Sequence, residues 1–216
     1  MLEAAGRLFA LQGFDGVSTR TLAKAAGVNL SAITYHFGGK EGLYHAVLEQ
    51  LVADTDPLVK TAIERLAQGT ARAEGNPEAL ARLAAWFVNH LLASILGEAR
   101  YRWQMALMLR EFYQPSGEFP MLLEKRIHPL HDAVAGLVAA ATGHEPQAPE
   151  TRLLTHAIIG QCMIFGAART VVWARLGWDG YSPQRVALIA GIVTASVQAM
   201  LGLPRVAPEG AAAGAE

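Results

Sequence analysis

The sequence predicts an all-α protein on two main observations. Apolar residues recur at helical spacing along most of the 216 residues, and no stretch shows the sustained alternation of a strand. Glycines and prolines fall between these stretches, where helices would begin and end. With 52% hydrophobic residues a sizeable core is available. We expect about nine helices in an N-terminal domain at 1–46 and a larger domain at 47–203, then a disordered tail at 204–216 rich in alanine, glycine and proline.

The composition and the motifs limit the cellular compartment and the classes of function that fit this protein. The net charge is -1, and the single cysteine, Cys162, excludes an intrachain disulfide and fits a reducing cytoplasm. Polar residues interrupt the first helix, so we expect no signal peptide. The apolar run 157–168 is shorter than the roughly 20 residues of a membrane span, and no membrane partner is expected. Because phosphate loops, nucleophile elbows and zinc-protease motifs are missing from the sequence, we expect neither an enzyme nor a cofactor.

The helices can be placed in order from their apolar spacing and their breakers. The first runs from Met1 to about Gln12, and Lys40 opens a long helix in which Pro57 predicts a kink or a break. A kink is also expected near His128, just before Pro129. The later helices are predicted at 77–96, 101–113, 119–142, 150–176 and 183–201.

A helix-turn-helix pattern occupies residues 18–40. Ser18 is suited to cap a first short helix, and Gly27 stands where that helix should end in a left-handed conformation. Asn29 or Ser31 can cap a second short helix that runs from about Leu30 to Phe37. A support helix, a glycine-containing turn and a second helix form the unit that reads the DNA major groove.

The same residues carry a family resemblance. The stretch T-R-T-L-A-K-A-A-G-V-N-L-S-A-I-T-Y-H-F-G-G-K-E-G-L-Y, preceded by A-x-x-L-F-A-x-x-G-F, resembles the N-terminal domain of the TetR family of bacterial repressors. In the second half, R-E-F-Y-Q-P-S-G-E-F and I-H-P-L-H are similar to the C-terminal domain of the CecR-type subgroup. The resemblance implies a homodimer that binds operator DNA and releases it when a small molecule binds between the C-terminal helices.

Candidate DNA contacts follow from this frame. The charged residues between 18 and 40 are all basic, namely Arg20, Lys24 and Lys40. The second helix of the motif offers polar and small groups to base edges, and we name Ser31, Ala32, Thr34 and His36. The expected phosphate contacts are Thr19, Arg20, Tyr35 and Lys40. Of these, Thr19, Tyr35 and Lys40 are assigned through the family resemblance.

The C-terminal half suggests a subunit interface and a ligand pocket. The run 157–168 and the last helix from Val186 to Leu201 are apolar on nearly all sides, which predicts cover by a partner subunit. We expect this interface to include Gly160, Val193 and Val197. A mostly apolar effector pocket between helices is expected to be lined by Trp86, His90, Trp103, Gln161 and Met163; the alternative is that these residues belong to the core.

Two other groups have both a functional and a structural interpretation. His128, His131 and His156 could bind zinc or nickel, but Pro129 disturbs their spacing, and we favour polar histidines at a kink, with no metal. Arg110 and Glu111 are interpreted as an effector contact or, preferably, as a partly buried ion pair between helices.

Together these features predict a ligand-responsive transcriptional repressor that binds DNA. The alternative is a helical small-molecule sensor module that does not act at DNA. The nearly neutral charge and the lack of a basic arm ahead of the first helix favour this alternative slightly.

Overall fold

The computed structural model describes residues 1–97 and 102–206, and it confirms the all-α class, since no strand occurs in these two ranges. The N-terminal three-helix arrangement is also as predicted. The α-helices are α1 (Leu2–Gly16), α2 (Thr19–Ala26), α3 (Leu30–Phe37), α4 (Lys40–Ala73), α5 (Pro77–Leu96), α6 (Arg102–Tyr113), α7 (Phe119–Leu122), α8 (His128–Thr142), α9 (Pro149–Ala167), α10 (Arg169–Leu176) and α11 (Pro183–Met200).

The chain divides into two compact units that do not follow the expected domain limits. As far as their residues are described, unit 1 comprises Met1–Pro57 and Arg100–Ile127, and unit 2 comprises Leu58–Ala99 and His128–Glu216. Helices α6 and α7, which the sequence analysis assigned to the C-terminal domain, therefore pack with the helix-turn-helix. The reason is that α1 and α6 pair directly, a contact between distant parts of the sequence that periodicity does not reveal.

Unit 1 is built on aromatic and aliphatic residues of the helices α1, α2, α3, α4, α6 and α7. Phe9, Ile33, Leu43 and Leu107 are completely buried within it. Trp103 of α6 belongs to the same core and is 8% exposed. The core of unit 1 thus includes a helix from well beyond the DNA-binding motif.

Unit 2 is held together mainly by α5, which packs against α8, α9 and α11. Its core consists of aliphatic residues with one aromatic ring at the centre, Phe87, which is 1% exposed. Helix α5 has the length and hydropathy of a membrane span, yet half of its most apolar window is buried in the protein, as in the core helix of a globular domain. Asn76 caps α5 by accepting a hydrogen bond from the Ala79 amide at 2.9 Å, and Pro77 takes the first helical position as predicted.

Irregular helix geometry occurs at only some of the places where prolines led us to expect it. Helix α4 continues past Pro57, so no break occurs there. One missing amide did not end the helix, and the Thr55 hydroxyl donates to the Leu51 carbonyl one turn away, at 2.9 Å. Before Pro129 the chain instead widens into a π-helical turn, Leu123–Ile127, which is the irregularity expected near His128. The helix predicted at 150–176 bends by 68° between α9 and α10.

The end of the chain is ordered slightly further than expected. The predicted tail begins at 204, but the Val206 carbonyl accepts a hydrogen bond from Gln198 Nε2 at 3.0 Å. The Gln198 side chain is 1% exposed and needs such partners, and the Ala81 carbonyl at 3.2 Å is another. The remainder of the predicted tail, 207–216, lies outside the described residues.

The α1–α6 contact gives a test of the core of unit 1. A Cβ atom on Gly6 would lie 2.3 Å from a ring carbon of Trp103, so Gly6→Ala is expected to lower the free energy of unfolding by about 1–3 kcal/mol. Gly136→Ala is the matched control, because a Cβ there meets nothing within 4 Å and alanine favours a helix. In thermal melts, the melting temperature of Gly6→Ala should lie clearly below that of Gly136→Ala. Equal melting temperatures would show that α1 and α6 do not pack as described.

Candidate nucleic-acid interface

Helix α2 is fixed at both ends by the residues that the sequence predicted. Ser18 is the N-cap, and its hydroxyl accepts a hydrogen bond from the Thr21 amide at 3.1 Å. Gly27 ends the helix at φ 67°, and its neighbour Val28 donates to the Ala23 carbonyl at 3.0 Å. The turn that follows is therefore set by backbone geometry.

Helix α3 follows the same rule. Of the two candidate caps the structure selects Asn29, whose side-chain oxygen accepts from the Ser31 amide at 3.4 Å. Gly38 closes the helix at φ 73°. Ile33 is completely buried in the core shared with Leu22 of α2, which fixes the face that α3 turns outward.

The predicted DNA contacts all belong to this unit, and most are exposed. On α3, Tyr35 is 85% exposed, Ser31, Thr34 and His36 are exposed, and Ala32 is half-buried. The three polar residues available for base edges are thus exposed on a helix that Ile33 anchors in the core.

Thr19, Arg20 and Lys40 flank this helix. Arg20 is exposed, while Thr19 and Lys40 are half-buried. The Lys40 ammonium lies 4.4 Å from the centre of the Phe14 ring, a cation–π contact made by the first residue of α4. Sequence reasoning did not foresee that contact.

The residues proposed for the effector pocket do not all belong to one unit. Trp103 lies in the core of unit 1, whereas Trp86 and Met163 pack against the core of unit 2, so Trp103 has to be removed from a shared cavity. Helical spacing identified Trp103 as inward-facing but could not show which core it enters. His90 stacks on Trp86 with ring centres 5.0 Å apart, and its Nε2 atom lies 2.8 Å from the Leu58 carbonyl.

Two clefts in the described residues lie elsewhere. One, in unit 2, has a volume of about 460 Å³ and includes Arg65, Arg72 and Arg82 in its walls. Another, in unit 1, has a volume of about 610 Å³ and is bordered by the end of α1 and the loop after α6. Neither is lined by any of the five predicted residues. Gln161 and Met163 are half-buried on α9.

The histidines come closer than their spacing indicated. The His131 and His156 rings, from α8 and α9, have centres 5.9 Å apart. Burial lowers the pKa of His131. The neighbouring His156 and His128 lower it further, whereas Asp132 raises it. His131 is thereby favoured as a neutral ring. Within the described residues, no group of three potential ligands is arranged to hold a metal ion.

Arg110 and Glu111 also have partners other than those expected. Glu111 is 1% exposed, and its carboxylate accepts hydrogen bonds from the Tyr44 hydroxyl at 2.5 Å and from the Ser116 hydroxyl at 3.0 Å. The Arg110 guanidinium instead donates to the Leu11 carbonyl at 3.3 Å. Glu111 is thus bound by hydroxyl groups and Arg110 by a backbone carbonyl, in place of the ion pair that the sequence suggested.

The predicted interface residues are divided between core and surface. Val193 and Val197 are 3% and 1% exposed, so they belong to the core of unit 2 and cannot also face a partner. Gly160 is exposed, with open space around it. The apolar residues of α11 that do face outward include Leu188 and Ile192, which are 56% and 62% exposed. A helix that is apolar all round does not show from its sequence which stripe is inside.

A capped helix-turn-helix in a chain with a second helical unit is typical of DNA-binding transcriptional regulators. The family comparisons agree with this class. Residues 1–47 match the model for bacterial regulatory proteins of the TetR family, and residues 80–203, more than half of the chain, match the C-terminal domain of the HTH-type transcriptional dual regulator CecR. The chain therefore belongs to the TetR family and carries the CecR-type C-terminal domain; it is a transcriptional regulator and not an enzyme.

Individual relatives extend this likeness over nearly the whole chain. The HTH-type transcriptional dual regulator CecR of Shigella flexneri is 26% identical over 201 residues, covering 93% of this chain and 89% of the relative. The TetR family regulator PfmR of Thermus thermophilus has a similar fold, with TM-score 0.54, 18% identity and 95% of each chain covered. A transcriptional regulator from Rhodococcus sp. Rha1 is 25% identical with TM-score 0.54, covering 95% of this chain and 97% of that one.

Proposed function

We propose that this regulator is a cytoplasmic homodimer that represses transcription by occupying an operator and leaves it when a small, mostly apolar effector binds. The observation that carries the DNA-binding part is α3, which is fixed by caps at both ends and exposes Ser31, Thr34 and His36. Repression needs only that the bound protein exclude the polymerase. The name of the Shigella relative describes a dual regulator, so activation at other sites is compatible with the same docking.

The proposed docking places α3 in the major groove. Thr34 and His36 read base edges there, with Ser31 and the small Ala32 completing the surface. Thr19, Arg20, Tyr35 and Lys40 contact phosphates on either side. Phosphate contacts fix the register of the protein on DNA, while the contacts of α3 select the sequence.

Substitutions separate these two roles. Lys40→Ala should weaken binding to every duplex and reduce the slope of log affinity against log salt by about 1, since one phosphate contact is lost. Thr34→Ala should leave the salt slope unchanged and relax the preference at one position of each half-site. Fluorescence anisotropy at several salt concentrations measures both. An unchanged salt slope for Lys40→Ala would contradict the docking.

The dimer is proposed to form through α9 and α11, which pack on each other within unit 2. Each buries one face and leaves large apolar residues on the other. Leu153 and Ile164 on α9 are 70% and 53% exposed, and Leu188 and Ile192 on α11 are also exposed. Gly160 and Gly191 are exposed as well, and a Cβ added to either would meet no atom within 4 Å, so a partner helix can approach the backbone closely. A second copy is the simplest cover for such a surface.

Ile192→Arg tests this face without disturbing the core, because Ile192 is exposed within the chain. A charge placed in a buried apolar interface is costly, so light scattering should show monomers and operator affinity should fall steeply. Ala67→Arg is the matched control, an exposed alanine of α4 replaced by the same side chain. A dimeric Ile192→Arg protein would place the interface elsewhere.

The effector is proposed to bind unit 2, near Trp86, His90, Gln161 and Met163. Trp86 and His90 present a stacked aromatic pair, and Gln161 and Met163 are half-buried on α9, so polar and apolar groups are both available. Helix α4 has residues in both units, which gives a continuous element through which binding would shift the DNA-binding motif.

Footprinting the full chain on the DNA upstream of its own gene, with and without a panel of aromatic compounds, tests the function directly. We expect a protected palindrome at moderate salt, and loss of protection with at least one compound. Tryptophan fluorescence of the free protein should change with the same compound. Protection that no compound relieves would argue against the effector, and absence of any salt-sensitive DNA binding would contradict the regulator itself.

A further inference from the structure

We propose that Arg110 and Glu111 of α6 position Lys40 for its phosphate contact, acting through the rings of Tyr44 and Phe14. This inference rests on the proposed function, because it takes Lys40 as a phosphate ligand. It assigns a role to two residues outside the helix-turn-helix motif.

The last step of this chain of contacts is the Phe14 ring beneath Lys40. The ammonium lies 4.4 Å from the ring centre, within the range of a cation–π contact. A lysine side chain on a surface normally samples many rotamers, and ordering it costs free energy on binding. A ring that holds the ammonium in place reduces this cost before DNA arrives.

The Phe14 ring is in turn fixed by Tyr44. The two ring centres are 5.2 Å apart at 66°, and Phe9 packs edge-on against Tyr44 at 4.8 Å. Tyr44 is 3% exposed, and its hydroxyl donates to the Glu111 carboxylate at 2.5 Å. Burial and the neighbouring carboxylate raise the pKa of the Tyr44 hydroxyl, so it remains a proton donor at all ordinary pH values.

Arg110 fixes the backbone that carries Phe14. Gly13 interrupts α1 with φ 78° and ψ 171°, and this non-helical residue directs the chain towards Phe14. A Cβ on Gly13 would lie 2.6 Å from an Arg110 guanidinium nitrogen, so Arg110 occupies the space beside the interruption. Its bond to the Leu11 carbonyl ties α6 to the same turn.

Arg110 and Glu111, which are adjacent on α6, therefore both help to fix the Phe14 ring. Arg110 braces the turn before Phe14, and Glu111 holds the tyrosine that packs against it. A role limited to core stability does not explain why the outer face of Phe14 carries the ammonium of the first residue of α4. Positioning explains it, and it predicts that these residues matter for DNA only while Lys40 is present.

A double-mutant cycle on a mixed-sequence duplex of about 20 base pairs tests this, since phosphate contacts do not depend on sequence. Using the full chain, we expect Phe14→Leu to weaken binding about two- to fivefold, the range of a surface cation–π contact. In the Lys40→Ala background Phe14→Leu should have no further effect. Phe14→Tyr keeps the ring face and should bind like the wild type.

Tyr44→Phe extends the cycle to Glu111, because it removes the hydroxyl and leaves the ring. It should weaken binding in the wild type but not in Lys40→Ala, and melting curves record any general loss of stability. If Phe14→Leu or Tyr44→Phe weakens binding equally in both backgrounds, or in neither, positioning is wrong. A wild-type protein that fails to bind the duplex at all would instead overturn the proposed function, and this inference with it.

Discussion

The buried carboxylate of Glu111 is the constraint on which unit 1 depends. A charged group that is 1% exposed is tolerated only when its oxygens are satisfied, and they are satisfied by Tyr44 of α4 and by the amide and hydroxyl of Ser116. Meeting this requirement holds α6, the loop after it and α4 in one arrangement. The DNA-binding motif is consequently part of a larger unit, and its geometry depends on residues some seventy positions further along the chain.

Unit 2 meets a different constraint, because it has more apolar surface than its own core can bury. Val193 and Val197 line one side of α11, while Leu188 and Ile192 remain exposed on another. The exposed parts of these side chains add nothing to the stability of a single chain and carry a solubility cost. Their presence on both α9 and α11 supports the proposal of a symmetric partner.

Local features of the fold could be predicted because they depend on neighbouring residues. Ser18, Gly27 and the limits of α3 follow from capping and from left-handed glycine, and all are confirmed. The predictions that Trp103 lines the effector pocket and that Val193 and Val197 face a partner were wrong, since both depend on which distant helices meet. Periodicity shows that a residue is buried but not against what. The Phe14–Lys40 contact was missed for a similar reason, since it joins the end of one helix to the start of another.

The two crossings between the units that fall within the described residues coincide with irregular helix chemistry. The chain passes from one unit to the other at Pro57 within α4, and again between Ile127 and His128, at the end of the π-helical turn. In each case a proline removes a backbone hydrogen bond at or just after the crossing. One helical hydrogen bond is therefore missing at or next to each of these two crossings. Helix α4 nevertheless continues past Pro57 without a break, and this continuity is the basis for proposing that effector binding in unit 2 shifts the DNA-binding motif.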